Sequence, residues 1–141
     1  MIWTTPPTID GLHQMGVGTI GDTIGIRFTE VGEDYLVATM PVDQNTVQPM
    51  RMLHGGASCV LAETLGSVAG MLVLKDISKE YVVGTEINAS HLRGVPEGKT
   101  VTGKVTPIRI GRTVQVWNIE ITDERGRLTC VSRLTCQVVR S

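Results

Sequence analysis

Apolar and polar residues alternate along much of this chain, with one long interruption. From Asp34 to Val42, Leu36, Ala38, Met40 and Val42 are separated by Tyr35, Val37, Thr39 and Pro41, the two-residue period of a strand with one buried face. Strands are predicted over Asp22–Glu30 and Asp34–Val42 around a turn at Val31-Gly32-Glu33. Four more are predicted over Tyr81–Arg93, Thr100–Ile110, Thr113–Thr122 and Leu128–Val139. Gly94-Val95-Pro96-Glu97-Gly98, Gly111-Arg112 and Asp123-Glu124-Arg125-Gly126 separate these last four. Such short spacers suit hairpins, so the sheet should be mainly antiparallel. The interruption is a helical run from Ala57 to about Leu74, and a short helix over Thr8–Met15 is predicted after Pro6-Pro7, capped by Thr8. One long helix against an antiparallel sheet is an α+β architecture, and 141 residues suit one domain spanning 1-141.

Each residue of an α-helix turns by roughly 100°, so the faces of the long helix can be drawn. Val60, Leu61, Leu65, Val68, Ala69, Met71 and Leu72 share a broad face that is expected to pack on the sheet. The opposite arc holds Gly56, Cys59, Glu63, Gly66, Ser67 and Gly70, with a single charge and no Lys or Arg. Small residues let another surface approach closely, so a second subunit or a ligand is expected to cover this arc and remove Glu63 from water. A buried, unpaired carboxylate is costly, and it is either satisfied by hydrogen bonds or put to use. The ordinary alternative is a solvated glutamate in mid-helix.

Gly55 and Gly56 open the same helix. Free N–H groups there, at the positive end of the helix dipole, suit a carbonyl oxygen that gains negative charge. A plain glycine turn is the alternative. Glu63 follows Gly55 by eight residues, which is about 12 Å along a helix axis and too far for both to act on one carbon. If they serve one site, they come from different subunits across a two-fold axis.

Charge narrows the partners. Thirteen basic and fourteen acidic residues leave a net charge of −1, so no nucleic-acid footprint is expected. The first ten residues lack the basic-then-apolar order of a signal peptide. The longest apolar stretch, Val68–Leu74, is shorter than the roughly 20 residues a membrane span needs. Cys59, Cys130 and Cys136 form no C-x-x-C pair and leave one thiol over in any pairing, which fits a reduced, cytoplasmic location. His13, His54 and His91 lack metal-ligand spacing, so no metal site is expected, and His13 lies far from any motif.

The stretch Gln48-Pro49-Met50-Arg51-Met52-Leu53-His54-Gly55-Gly56-Ala57, followed by Ala62-Glu63-Thr64 and Gly66-Ser67-Val68-Ala69-Gly70, resembles the hotdog-fold acyl-CoA thioesterases. It is most similar to the bacterial branch acting on aroyl-CoA or aryl-carrier-protein thioesters in enterobactin, menaquinone and phenylacetate pathways. The resemblance runs from Met1-Ile2-Trp3 through Met40-Pro41-Val42-Asp43 to Gly126-Arg127-Leu128. It implies a sheet wrapped around one central helix and hydrolysis of acyl- or aroyl-CoA, with 1,4-dihydroxy-2-naphthoyl-CoA as one model substrate. Glu63 would be nucleophile or general base, and the Gly55 N–H would polarise the carbonyl with His54 beside it. Gln48 would position the thioester or water, and Ser67 would orient the carboxylate or water.

Ser90 and His91 would lie on a strand lining the substrate cleft, and Gly84 would let the pantetheine arm reach backbone. Arg93, Arg109, Gly111 and Arg112 would meet the CoA phosphates. CoA would be part of the substrate, with no separate cofactor and with acyl carrier protein as an alternative carrier. The assembly would be at least a homodimer, and a homotetramer is expected.

Each role has a plainer counterpart. His54 can cap the loop, His91 can be a satisfied strand histidine, and the arginines can be solvated charges. Cys59 shares the Glu63 arc and is either a thiol nucleophile or a small hydrophobe. Met50 and Met52 are expected to line an adaptable acyl pocket, with the lone Phe28 elsewhere. Two other functions fit the same fold. A hotdog hydratase or dehydratase pairs a catalytic His with a carboxylate in other motif contexts, and an acyl-CoA-binding sensor would bind without turnover.

Overall fold

The first helix begins where Thr8 accepts the Gly11 N–H at 3.0 Å, and α1 runs over Ile9–Gly16. In the computed structural model, which describes residues Met1–Ser141, it is followed by a single helical turn, α2 (Ile20–Thr23). Asp22 therefore opens no strand. Its carboxylate accepts the Gly18 N–H, and Gly25, at φ 81°, turns the chain into β1 only at Arg27. The remaining elements are β1 (Arg27–Val31), β2 (Leu36–Pro41), α3 (Gly55–Leu72), β3 (Glu80–His91), β4 (Thr100–Ile110), β5 (Val114–Thr122) and β6 (Leu128–Arg140).

The six strands form one sheet in the order β1-β2-β4-β5-β6-β3, antiparallel at every step. Hairpins join β4, β5 and β6 as two of the three spacers predict, but Gly94–Gly98 is no hairpin, because β3 and β4 are not neighbours and the chain crosses from one edge of the sheet to its interior. The chain leaves β2 through α3 before returning as β3 at the opposite edge, so the helix is laid across the concave face of the sheet. Leu36, Met40, Trp117, Ile119, Ile121 and Leu134 project from that face onto Leu61 and Leu65, all fully buried. α3 is long and apolar enough to cross a membrane by length and composition alone. Here it is the core helix, with eight residues buried inside the fold.

The buried side of α3 differs from the apolar stripe the sequence suggests. Ser58, Leu61, Ala62, Leu65, Gly66, Ala69, Gly70 and Leu72 are buried, whereas Val60, Val68 and Met71 are only half-buried. Gly66 and Gly70 thus serve the sheet rather than a second subunit. A Cβ on Gly66 would come within 2.5 Å of Leu134 Cδ2, and one on Gly70 within 2.4 Å of Gln115 Oε1. The missing side chain at Gly70 lets the buried Gln115 amide reach the Gly70 carbonyl at 3.1 Å while accepting the Trp117 indole N–H at 3.0 Å.

Leu134 also presents its Cβ at 3.3 Å to the same position on Gly66, so swinging its end away does not clear the space. Gly66→Ala should therefore destabilise the fold by about 1–3 kcal/mol despite alanine's better helix propensity. A urea midpoint equal to or above the parent's would contradict this packing.

β3 is the element that positions the site. It pairs only with β6, leaving its other edge open. Gly84 stands opposite Cys136, then the register shifts between Gly84 and Glu86, after which Ile87, Ala89 and His91 oppose Leu134, Ser132 and Cys130. Because Cys136, Leu134, Ser132 and Cys130 all face the core, Gly84 and His91 point toward α3. Ser90, paired with Val131, points to the outer face.

Candidate active site

The first turn of α3 carries the one uncommitted backbone donor. His54 is its N-cap, and the ring Nδ1 accepts the Gly56 N–H at 2.8 Å. The Ala57 and Ser58 N–H groups both turn back to the His54 carbonyl, at 3.0 and 3.3 Å. The Gly55 N–H donates to nothing within the chain. His54 therefore acts as a cap that leaves the Gly55 amide free, and its ring does not line the cleft in front of that amide.

That cleft has a volume of about 380 Å³ and is lined by Gln48, Leu53, Gly55, Ser58, His91, Leu92, Arg93, Gly94 and Thr129. Two of the segments that frame it are held to one another. Gln48 donates its N–H to Met52 O and accepts Arg51 N–H, at 2.9 and 2.8 Å. Arg51 sits at φ 61°, an unusual conformation for a residue with a Cβ. Its guanidinium grips both Glu97 oxygens, at 3.1 and 2.6 Å, which ties this loop to the one after β3. The Gln48 side-chain oxygen is taken by the Met50 N–H, which leaves its NH₂ free to donate. His91 lies over the helix start. A Cβ on Gly55 would stand 2.9 Å from His91 Nε2, so only glycine fits beneath that ring.

Glu63 lies two turns further along α3. It is exposed in the single chain and takes part in none of the ion pairs or side-chain hydrogen bonds. The reason is the rotation of α3 already described: the small residues of its arc turned into the sheet and carried Glu63 to the rim. Its carboxylate leans on β3, where a Cβ on Gly84 would come within 2.7 Å of Glu63 Oε2. Gly84 thus makes room for the acid. Burial, then the Glu63 charge, push the Cys59 thiol above its usual range, which keeps it protonated and a poor nucleophile. Burial and the same charge push Cys136 up to about 11.

A second, larger hollow of about 630 Å³ opens beside Glu63. Thr64, Ser67, Val68 and Met71 of α3 form one wall; Leu12, His13, Met15, Ile20, Ile26 and Phe28 from the N-terminal third form the other. Tyr81 and Val82 of β3 complete it. Ser67 is therefore on the wall of this hollow, one turn beyond Glu63. Two expectations about the acyl pocket fail here. Met50 is exposed and Met52 packs on Gly94, so neither lines the hollow, while Phe28 does. His13 and Thr64 had no assigned role, because α1 and α3 reach the same hollow from distant parts of the chain and leave no local pattern.

The arginines divide. Arg93 is on the cleft. Gly111 and Arg112 line a separate hollow of about 220 Å³ with Lys75, Glu80 and Arg140, at the end of α3 remote from Gly55. Arg109 folds over Gly111, its Nε 3.1 Å from where a Cβ would stand. An 18-residue helix is about 27 Å long, so Arg93 and the Arg109–Arg112 turn cannot meet one phosphate group within a single chain. Ser90 faces away from both.

Comparison with known proteins gives the chain a family. Residues 50–130 match the thioesterase superfamily model. Over 99% of its length the chain is 51% identical to a 1,4-dihydroxy-2-naphthoyl-CoA hydrolase of Escherichia coli (strain K12), covering 100% of that protein. It is 50% identical to a proofreading thioesterase, EntH, of Cronobacter turicensis, covering 99% of both chains. The crystal structure of thioesterase HI1161 from Haemophilus influenzae superposes with a TM-score of 0.94 at 47% identity, covering 99% of this chain and 96% of that one. With a hotdog sheet wrapped on one helix, a match to the family model over residues 50–130 and 50–51% identity to named thioesterases over nearly its whole length, the chain belongs to the thioesterase superfamily.

Proposed function

We propose that the protein hydrolyses acyl- and aroyl-CoA thioesters at two equivalent sites in a homodimer, each pairing the Gly55 amide of one subunit with Glu63 of the other. The observation that carries this reading is the division of labour within one chain. Gly55 holds a free N–H beneath His91, and Glu63 holds a free carboxylate beside Gly84, about 12 Å further along the helix.

The open edge of β3 offers the contact. It is 12 residues long, exposes Tyr81 and Val83, and has no partner, an arrangement that invites pairing. Antiparallel pairing of two such strands about an axis near Ile87 and Asn88 sets Gly84 opposite the partner subunit's His91. Glu63 then faces the partner subunit's Gly55. The same two-fold carries the Arg109–Arg112 end of one subunit toward the Arg93 end of its partner, so one CoA can meet both.

In this arrangement the thioester oxygen takes the Gly55 N–H, and Gln48 offers its NH₂ to the carbonyl or to water. Glu63 either removes a proton from water or attacks the acyl carbon and is released by water. By either route the hydroxyl ends on the acyl carbon, the proton on the CoA sulfur, and the developing oxyanion is held by the helix start. The apolar hollow beside Ser67 takes the acyl group. A cytoplasmic location accords with three free cysteines. A homotetramer built of two such dimers, and carrier-protein thioesters as further substrates, belong to the same reading.

Thiol release from benzoyl-CoA, a bicyclic aroyl-CoA and medium-chain acyl-CoAs tests it directly. Tight CoA binding without release would instead mark a sensor. The hollow makes its own prediction. Met71→Trp should cut kcat/KM about tenfold for a two-ring aroyl-CoA while leaving acetyl-CoA within about threefold, because the added ring takes up acyl space. Equal loss on both substrates would remove the hollow from the substrate path.

A further inference from the structure

We infer that Ser58 is a catalytic residue of this site, its hydroxyl joining the Gly55 N–H as a second donor to the thioester carbonyl oxygen. The inference rests on the reading of the Gly55 cleft as the place where that oxygen binds.

Ser58 is 2% exposed. Each of the other buried hydroxyl and amide side chains has a partner. Thr46 donates to Pro41 O at 2.8 Å, Gln115 to Gly70 O at 3.1 Å, Thr129 to Ile121 O at 3.2 Å and Ser132 to Ile119 O at 3.0 Å. The Ser58 hydroxyl has none. A serine inside a helix ordinarily bonds back to the carbonyl four residues earlier, but the His54 carbonyl is already shared by the Ala57 and Ser58 N–H groups.

Nor is the hydroxyl sealed into the core, since the one buried and unpartnered side-chain polar atom is Nε2 of His13. What little of Ser58 solvent reaches opens on the cleft that Gln48, Gly55 and His91 line. A hydroxyl that opens on a cleft takes its partner from whatever stands there. Here that partner is what enters the cleft.

Direction follows from helix geometry. Side chains tilt toward the N-terminus of their helix, so Ser58, one turn inside α3, points back toward the open end where the Gly55 N–H emerges. An oxygen seated on that amide meets the hydroxyl from the side. As the carbonyl carbon becomes tetrahedral the oxygen gains charge, and both donors strengthen together. A neutral hydroxyl adds this without placing a second charge beside Glu63.

The test uses the full-length protein and benzoyl-CoA. Ser58→Ala should fold as the parent does, because alanine suits a helix interior. It should lower kcat about 10- to 100-fold with KM held within about threefold, the pattern of a contact that strengthens in the transition state. The second readout is the infrared carbonyl band of ¹³C-labelled benzoyl-CoA bound to Glu63→Gln. Adding Ser58→Ala to that variant should move the band back toward its position in water, as a donor is lost. A kcat within twofold of the parent overturns the proposal, and so does a fall in kcat with no movement of the band. If Glu63→Gln itself turns substrate over at the parent's rate, the site reading falls and the proposal falls with it.

Discussion

Glu63→Gln should lower kcat about 1,000-fold or more while leaving the thermal midpoint within a degree or two of the parent, the scale expected when a general base or nucleophile is replaced by its amide. The amide keeps the volume and the contact with β3, so only the charge and the basicity are lost. Stability should be indifferent because the carboxylate makes no ion pair and is exposed in the single chain. KM should change little, since the carboxylate acts on the acyl carbon and not on the CoA. A secondary sign accompanies the loss. Burial is the larger cause of the raised Cys59 thiol and the Glu63 charge the smaller, so the variant's Cys59 should ionise at a somewhat lower pH. Steady-state kinetics with several per cent of activity retained would remove Glu63 from the chemistry.

The fold was largely legible because its elements announce themselves locally. Alternation marks the strands, short polar spacers mark the hairpins between β4, β5 and β6, and Thr8 marks the start of α1 within one residue. The side of α3 that meets the sheet was not legible. Apolar residues occur nearly all around that helix, so no stripe singles out a face. The choice is made by what the sheet brings to it: Leu134 and Gln115 are long, and only Gly66 and Gly70 leave room for them. Bulky Val68 and Met71 are displaced to the wall of the hollow.

The same contrast holds within the site. Gln48, Gly55, His91 and Arg93 meet in one cleft as the motif suggests, because three of them flank a single helix start or the end of one strand. The outward side of Ser90 could have been read from sequence, since successive strand residues face opposite sides and it cannot share a face with His91. The Arg109–Arg112 hairpin could likewise have been placed at the far end of the sheet by following the antiparallel order. What no local pattern contains is that α1 and Phe28 share one hollow with α3, or that the Ser58 hydroxyl is left without a partner. Both depend on which distant groups fail to arrive.

Gly84→Ala separates positioning from stability most sharply. The new methyl would stand 2.7 Å from Glu63 Oε2 and 3.4 Å from its carboxyl carbon. Relief is cheap for the fold, because the obstacle is the tip of a flexible, exposed side chain that can rotate away, and Gly84 has no left-handed backbone to lose. Relief is expensive for the reaction, because rotating away is what the acid must not do. A displacement of about 1 Å at a reacting group can cost on the order of 100-fold in rate, so kcat should fall about that much with the urea midpoint nearly unchanged. Gly66→Ala should show the reverse: a lowered midpoint with much of the activity kept, because its obstacle is Leu134 in the core. If Gly84→Ala instead lowers the urea midpoint and spares turnover, the carboxylate is not held against β3 during catalysis. The proposed alignment of Gly84 with the partner subunit's His91 would then lose its basis.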